Sequence, residues 1–156
     1  MGDIRKILVP IDFSTHAASA LDYAIELAKV FGAEVHLLHC YQANPIGIAA
    51  YEVLSPVDFE RDMREAAREQ LCEWRDKVAA EGLEAHEHLT PHFPSEAIAD
   101  LEQEISADLI VMGTQGRSGL SHLLLGSVAE RTLRNAACPV LTVHAPRVDS
   151  NARREK

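Results

Sequence analysis

The sequence contains no long apolar run. Nothing in it approaches the roughly 18 residues that a membrane-spanning helix requires, so no partnership with a membrane is expected. No secretory leader is expected either, because Met1-Gly2-Asp3-Ile4-Arg5-Lys6 runs straight into a strand-like segment with no apolar h-region or small-residue cleavage site. The Met1-Gly2 start is not a myristoylation signal, since Lys6 stands where Ser or Thr is needed. Cysteine is scarce: Cys40, Cys72 and Cys138 are odd in number and form neither a CxxC pair nor a zinc-finger spacing. Buried free thiols in a reducing compartment follow from that, with the cytoplasm as the expected location. Positive charge is in deficit, with 15 Lys and Arg against 24 Asp and Glu and a net charge of -9. Non-specific nucleic-acid binding needs a basic face to neutralise phosphates, so no nucleic-acid partner is expected. A single bound nucleotide remains compatible, because a local nest of backbone N–H groups holds an anion on an acidic protein.

What is present fits one domain. A chain of 156 residues, 47% hydrophobic and 25% charged, has an ordinary globular composition. At this length roughly 68–70% of the unfolded surface is buried on folding, enough for a core without metal or disulfide staples. The expected division is a domain over residues 1–145 followed by a mobile polar tail over 146–156.

Strands and helices alternate along the chain. Lys6 to Ile11 is a short apolar run closed by Asp12 and reads as a buried parallel strand. Ser14 is positioned to cap a helix with an apolar stripe at Ala17, Leu21, Ala24, Ile25, Ala28 and Phe31, and Gly32 stands at its stop. Glu34 to Tyr41 is a second strand. Residues 42–56 lack periodicity and read as a loop. Val57 to Glu81 reads as a long amphipathic helix, with Met63, Ala67, Leu71, Trp74 and Val78 on its apolar stripe and Gly82 at its end. Leu83 to Leu89 is a third strand, polar enough for an edge. Ser95 caps a helix through Ile105. Asp108 to Gly113 is a fourth strand, Ser127 to Ala136 a helix, and Pro139 to His144 a fifth strand. This order implies an α/β fold: a single doubly wound parallel sheet of five strands with helices on both faces. In such sheets ligands sit outside the carboxyl ends of the strands, at the point where strand order reverses.

The glycines after the fourth strand carry the chemistry. Gly113, Gly116, Gly126 and Ser127 are spaced G-x2-G-x9-G-S. Glycine at 113 and 116 permits positive φ and close approach of backbone to a ligand. Successive N–H groups form an anion nest. Gly126-Ser127 opens a helix whose free N–H groups and dipole favour negative charge, with the Ser127 hydroxyl and Arg117 as further donors. The pattern is neither a Walker A loop nor a dinucleotide GxGxxG. A glycine-rich turn followed by a helix cap is the plainer alternative.

From Ile4 to about His144 the sequence resembles the universal stress protein family, nucleotide-binding type. The resemblance is carried by Lys6 to Ser14 (KILVPIDFS), Leu37-Leu38-His39, Ala107 to Thr114 (ADLIVMGT), Cys138 to Val143 (CPVLTV) and the gap-free G-x2-G-x9-G-[ST] motif that marks ATP-binding members. It implies a Rossmann-like sheet of strand order 3-2-1-4-5 and a site for ATP with Mg²⁺. It also implies the site residues. Asp12 matches the family acid near the adenosine. Pro10 and Ile11 would line the adenine pocket, Cys40 falls at an apolar position against adenine, and Met112 and Gly113 would flank the nucleoside. Gly116, Arg117, Gly126, Ser127 and Val128 would surround the phosphates. A homodimer through the last strand, Val140 to His144, is implied too. One departure is the turn Thr90 to Ser95 (TPHFPS), where many members have Gly-x-Pro; it is expected to lie away from the motif.

The expected function is that of a nucleotide-dependent regulatory, stress-response dimer, not an enzyme, with ATP hydrolysis slow at most. A stress scaffold acting through protein contacts alone is the alternative. Adenylyl transfer is disfavoured, because relatives with that chemistry carry an SGGxDS-like loop where this chain has Pro10-Ile11-Asp12-Phe13-Ser14. A metal site among His86, His88 and His92 has no obvious completing Cys or carboxylate, so exposed strand residues are the simpler reading. GxSxG is not satisfied around Ser118.

Overall fold

The computed structural model describes residues 3–41, 56–116 and 125–146. Among them the elements are β1 (Lys6–Ile11), α1 (Thr15–Phe31), β2 (Glu34–Cys40), α2 (Pro56–Ala80), β3 (Ala85–Thr90), α3 (Pro94–Ile105), β4 (Leu109–Gly113), α4 (Ser127–Asn135) and β5 (Val140–Val143). The strands form one parallel sheet in the order β3-β2-β1-β4-β5. The expected doubly wound topology and strand order are therefore found. Strand order reverses between β1 and β4, since β2 lies on one side of β1 and β4 on the other.

Period-two alternation along the strands divides the core in two. Ile7, Val9, Ile11, Val35, Leu37 and Val111 face one side, where they meet Ala17, Leu21, Ala24 and Ala28 of α1 and Leu71 and Val78 of α2. Leu8, Leu38, Ile110 and Met112 face the other side, against Ala97, Ile98 and Leu101 of α3 and Ala129 of α4. The run of alanines on α1 brings its backbone close to β1 and β4, because small side chains set the helix-to-sheet separation.

The helix ends follow local chemistry. Ser14 Oγ accepts the Ala17 N–H at 3.1 Å, as the cap expects. Gly32 closes α1 in the left-handed region at φ 67°, and Ala33 N–H reaches Ala28 O at 3.0 Å. Two expectations are corrected. Ser95 does not cap α3: the cap and the helix start lie two residues earlier, with Phe93 at the cap position and Pro94 in the first turn. Proline suits that position because the missing N–H would have had no helical partner. Met63 is no part of the core, for the first turns of α2 project past the sheet and leave Val57 and Met63 exposed. Only Ala67, Leu71 and Val78 are fully buried along its stripe.

Among the described residues no helix is long and apolar enough to cross a membrane. The predicted loop over residues 42–55 and the tail beyond Pro146 lie outside the described residues.

Candidate functional site

The carboxyl ends of β1 and β4 open into a cleft of about 560 Å³. That is within the roughly 300–1,000 Å³ of small-molecule sites, and it stands at the reversal of strand order, where open α/β sheets place their ligands. Pro10, Ile11, Asp12, Cys40, Met112, Gly113, Gly116, Gly126, Ser127 and Val128 all line it. Arg117 lies outside the described residues.

Asp12 shapes the floor. Its Oδ1 accepts the Ser14 N–H at 3.0 Å, folding the chain sharply from β1 into α1. Phe13, between them, is held at φ 62°, a left-handed conformation that non-glycine residues rarely adopt. Its ring packs on His39, with centroids 4.4 Å apart, and edge-on against Trp74 at 5.5 Å. His39 Nδ1 donates to Ile11 O at 2.7 Å and turns the imidazole toward the cleft wall.

The glycines divide their roles differently from expectation. Neither Gly113 nor Gly116 has positive φ. Gly113 is required by packing: a Cβ there would come within 2.8 Å of His16 Cβ and 2.9 Å of the His16 carbonyl carbon. At Gly116 the added Cβ would stand 2.8 Å from Asp12 Oδ2. The glycine therefore leaves room for the Asp12 carboxylate at the cleft wall. Gly126 N–H donates to Thr114 O at 2.6 Å, which draws the start of α4 against the end of β4. No side chain caps α4, whose first residues Ser127, Val128 and Ala129 line the cleft. Thr114, almost fully buried, contacts His144 Nδ1 at 3.0 Å and anchors that turn to β5.

Burial pushes the Cys40 thiol up to about 12. It is a neutral, soft surface at the cleft wall, consistent with an apolar contact rather than a nucleophile.

Sequence reasoning missed several lining residues. Arg131 lies four residues after Ser127, one helical turn along the same face of α4, and puts a cation on the cleft. The i, i+4 spacing was the signal that could have found it. Phe93, Pro94 and Ser95 also line the cleft. The Thr90–Ser95 turn, expected to lie away from the motif, is part of its wall, because β3 and β1 end on the same edge of the sheet.

The histidine cluster is also different from the expected one. His92 stands apart and exposed. His36, unnoticed in the sequence, stacks on His86 with centroids 4.6 Å apart, and Glu34 joins them. A completing carboxylate is therefore present, supplied by the neighbouring strand.

Fold and site together define a doubly wound α/β protein with a small-molecule cleft at its switch point. The chain belongs to the universal stress protein family, whose pattern matches residues 3–144. Universal stress protein MJ0531 of Methanocaldococcus jannaschii is 36% identical over 147 residues, covering 92% of this chain and 84% of the relative. Universal stress protein YxiE of Bacillus subtilis is 33% identical over 145 residues, covering 89% of this chain and 98% of the relative. Among solved structures, that of MJ0577 superposes with a TM-score of 0.82 at 27% identity, covering 94% of this chain and 99% of that one. A universal stress protein in complex with cAMP superposes with a TM-score of 0.69 at 25% identity, covering 93% of this chain and 100% of that one.

Proposed function

We propose that this chain binds ATP, together with Mg²⁺, in the cleft between β1 and β4, and that the bound nucleotide regulates a homodimer. The observation that carries the reading is the cleft at the switch point of the sheet, where Gly116 lies against the Asp12 carboxylate with no side chain of its own between them. The start of α4, without a side-chain cap among the described residues, lines the same cleft and offers N–H groups and a favourable dipole to an anion. A phosphate chain fits this pairing: Ser127 and Val128 would hold it through backbone and hydroxyl donors, and Arg131 would supply a positive charge. Met112, Cys40 and Ile11 offer an apolar surface to a base. Mg²⁺ would travel on the phosphate oxygens, with Asp12 as the carboxylate lining the cleft. The relative solved with cAMP supports an adenine nucleotide as the ligand class.

Binding, not turnover, is the proposed activity. Among the described lining residues Asp12 is the one carboxylate, and one of its oxygens is engaged in the turn. Any hydrolysis is expected to be slow. The test is to denature freshly purified protein, identify released nucleotide by mass spectrometry, and then titrate ATP calorimetrically with and without Mg²⁺. Released or micromolar-binding ATP supports the reading. No nucleotide and no binding heat makes the glycine loop a structural turn.

A further inference from the structure

A second constellation lies at the opposite end of the sheet from the cleft. Glu34 and His36 occupy alternate positions of β2 and so share one face, and His86 is the register partner of His36 on β3. His36 Nε2 is 3.1 Å from Glu34 Oε1, and His86 Nε2 is 3.4 Å from Glu34 Oε2. One donor atom from each of the three residues falls within 4.8 Å of the others. The site lies roughly 13–20 Å along β2 from Cys40, taking about 3.3 Å per residue.

We propose that Glu34, His36 and His86 form a binding site for one borderline divalent transition cation, with Zn²⁺ as the reference ion. Two imidazoles and a carboxylate are a known zinc donor set, leaving a fourth position open. Zn–N and Zn–O bonds of about 2.0–2.1 Å place tetrahedral ligand atoms about 3.3 Å apart. The separations of 3.1 and 3.4 Å run to different oxygens of Glu34, Oε1 for His36 and Oε2 for His86, so the carboxylate spans the two imidazoles and would turn one oxygen toward a shared ion. Closing the two imidazoles on one ion needs a tilt of the His86 ring, whose side chain is 39% exposed and free to move on its solvent side.

Two further observations point to a ligand. His86 Nε2 is screened from solvent yet makes no hydrogen bond among the described residues. Carboxylate oxygens of Glu84 and Glu34 lie 3.1 and 3.4 Å away but off the hydrogen-bonding angle. Two anionic oxygens thus converge on a ring nitrogen that hydrogen-bonds to neither, an arrangement suited to a cation. Behind the site, His36 Nδ1 is 3.0 Å from His88 Nε2. With Nε2 on a metal, His36 Nδ1–H donates to His88, which fixes the tautomer and ring plane as an outer partner does in metal sites. Lys6 Nζ, 3.7 Å from Glu34 Oε1, is the competing cation. Its side chain is 40% exposed and swings to solvent when the metal takes its place.

The test uses the full chain, stripped by a chelator and kept reduced, without nucleotide, and titrated with Co²⁺ by visible absorption and with Zn²⁺ by calorimetry. The expected result is one equivalent of metal, ligand-field bands of a nitrogen and oxygen donor set, and no sulfur-to-cobalt charge-transfer band. His86→Gln is expected to weaken binding at least tenfold while keeping the wild-type circular dichroism spectrum, and Glu34→Gln to do the same; His92→Gln is expected to leave binding unchanged. Uptake equal in wild type and His86→Gln, or a charge-transfer band from thiolate ligation, would overturn the proposal.

Discussion

Gly113 and Gly116 look interchangeable in the motif, but their neighbours give them separate tasks. At Gly113 a methyl group would meet the backbone and Cβ of His16 below 3 Å. Overpacking of this kind costs about 1–3 kcal/mol. Gly113→Ala is therefore expected to lower the thermal midpoint, measured by calorimetry, whether or not nucleotide is present. The cysteines separate in the same way. Burial pushes Cys40 to about 12, and burial with the Glu102 carboxylate does the same for Cys138. A thiol raised by about three units has about 1,000-fold less thiolate at neutral pH. Alkylation of both in the native protein, followed by peptide mapping, is expected to be slow at pH 8 and to rise about tenfold per pH unit. In denaturant both are expected to react quickly at pH 8. Rapid native labelling of Cys40 at pH 8 would contradict the apolar cleft wall.

The elements were legible where the sequence carries periodicity and punctuation. Ser14 and Gly32 bracket α1 because their side-chain oxygen and left-handed backbone act locally. The apolar runs at Lys6–Ile11 and Leu109–Gly113 show buried parallel strands for the same reason. The glycine spacing pointed to Gly113, Gly116, Gly126 and Ser127, and the family resemblance implied Pro10, Ile11, Asp12, Cys40, Met112 and Val128; all of these line the cleft. What stayed hidden depends on contacts across the sheet. Arg131, the Phe93–Ser95 turn and the His36–His86 stack are distant in sequence and are brought together by register alone. Phe13 was hidden too, since its left-handed conformation is held by packing on His39 and Trp74. Glu102 is a further case. It is buried on α3 and accepts N–H groups from Ala137 and Cys138 at 2.8 and 2.7 Å, fastening the turn between α4 and β5. Glu102→Ala leaves two partly buried donors unpaired, and each such loss costs about 1–3 kcal/mol. A fall in stability by denaturant titration is expected, larger than that for the exposed Glu96→Ala on the same helix.

At the scale of the molecule, the two ends of the sheet are separate. The carboxyl ends hold the cleft proposed to bind a nucleotide, and the β5 edge is the surface expected to pair with a second copy. β5 pairs with β4 on one side and stands at the margin of the sheet, with Leu141 37% exposed. An apolar edge with no second strand beside it among the described residues is suited to pairing with its own copy across a two-fold axis. Light scattering is expected to give a dimer mass, and Leu141→Lys to shift it toward monomer without loss of helical signal; a wild-type monomer at high concentration would refute the dimer. The central claim is that the cleft beside Gly116 and Asp12 binds a nucleotide. The measurement that tests it most directly is an ATP titration, with Mg²⁺, of the wild type beside Gly116→Val. A Val side chain adjacent to Asp12 fills the cleft and leaves both core faces untouched. The account predicts micromolar binding in the wild type and at least a tenfold loss, about 1.4 kcal/mol, in a variant with nearly unchanged thermal midpoint. Equal ATP affinity in the two proteins, or no ATP binding by the wild type, would contradict it.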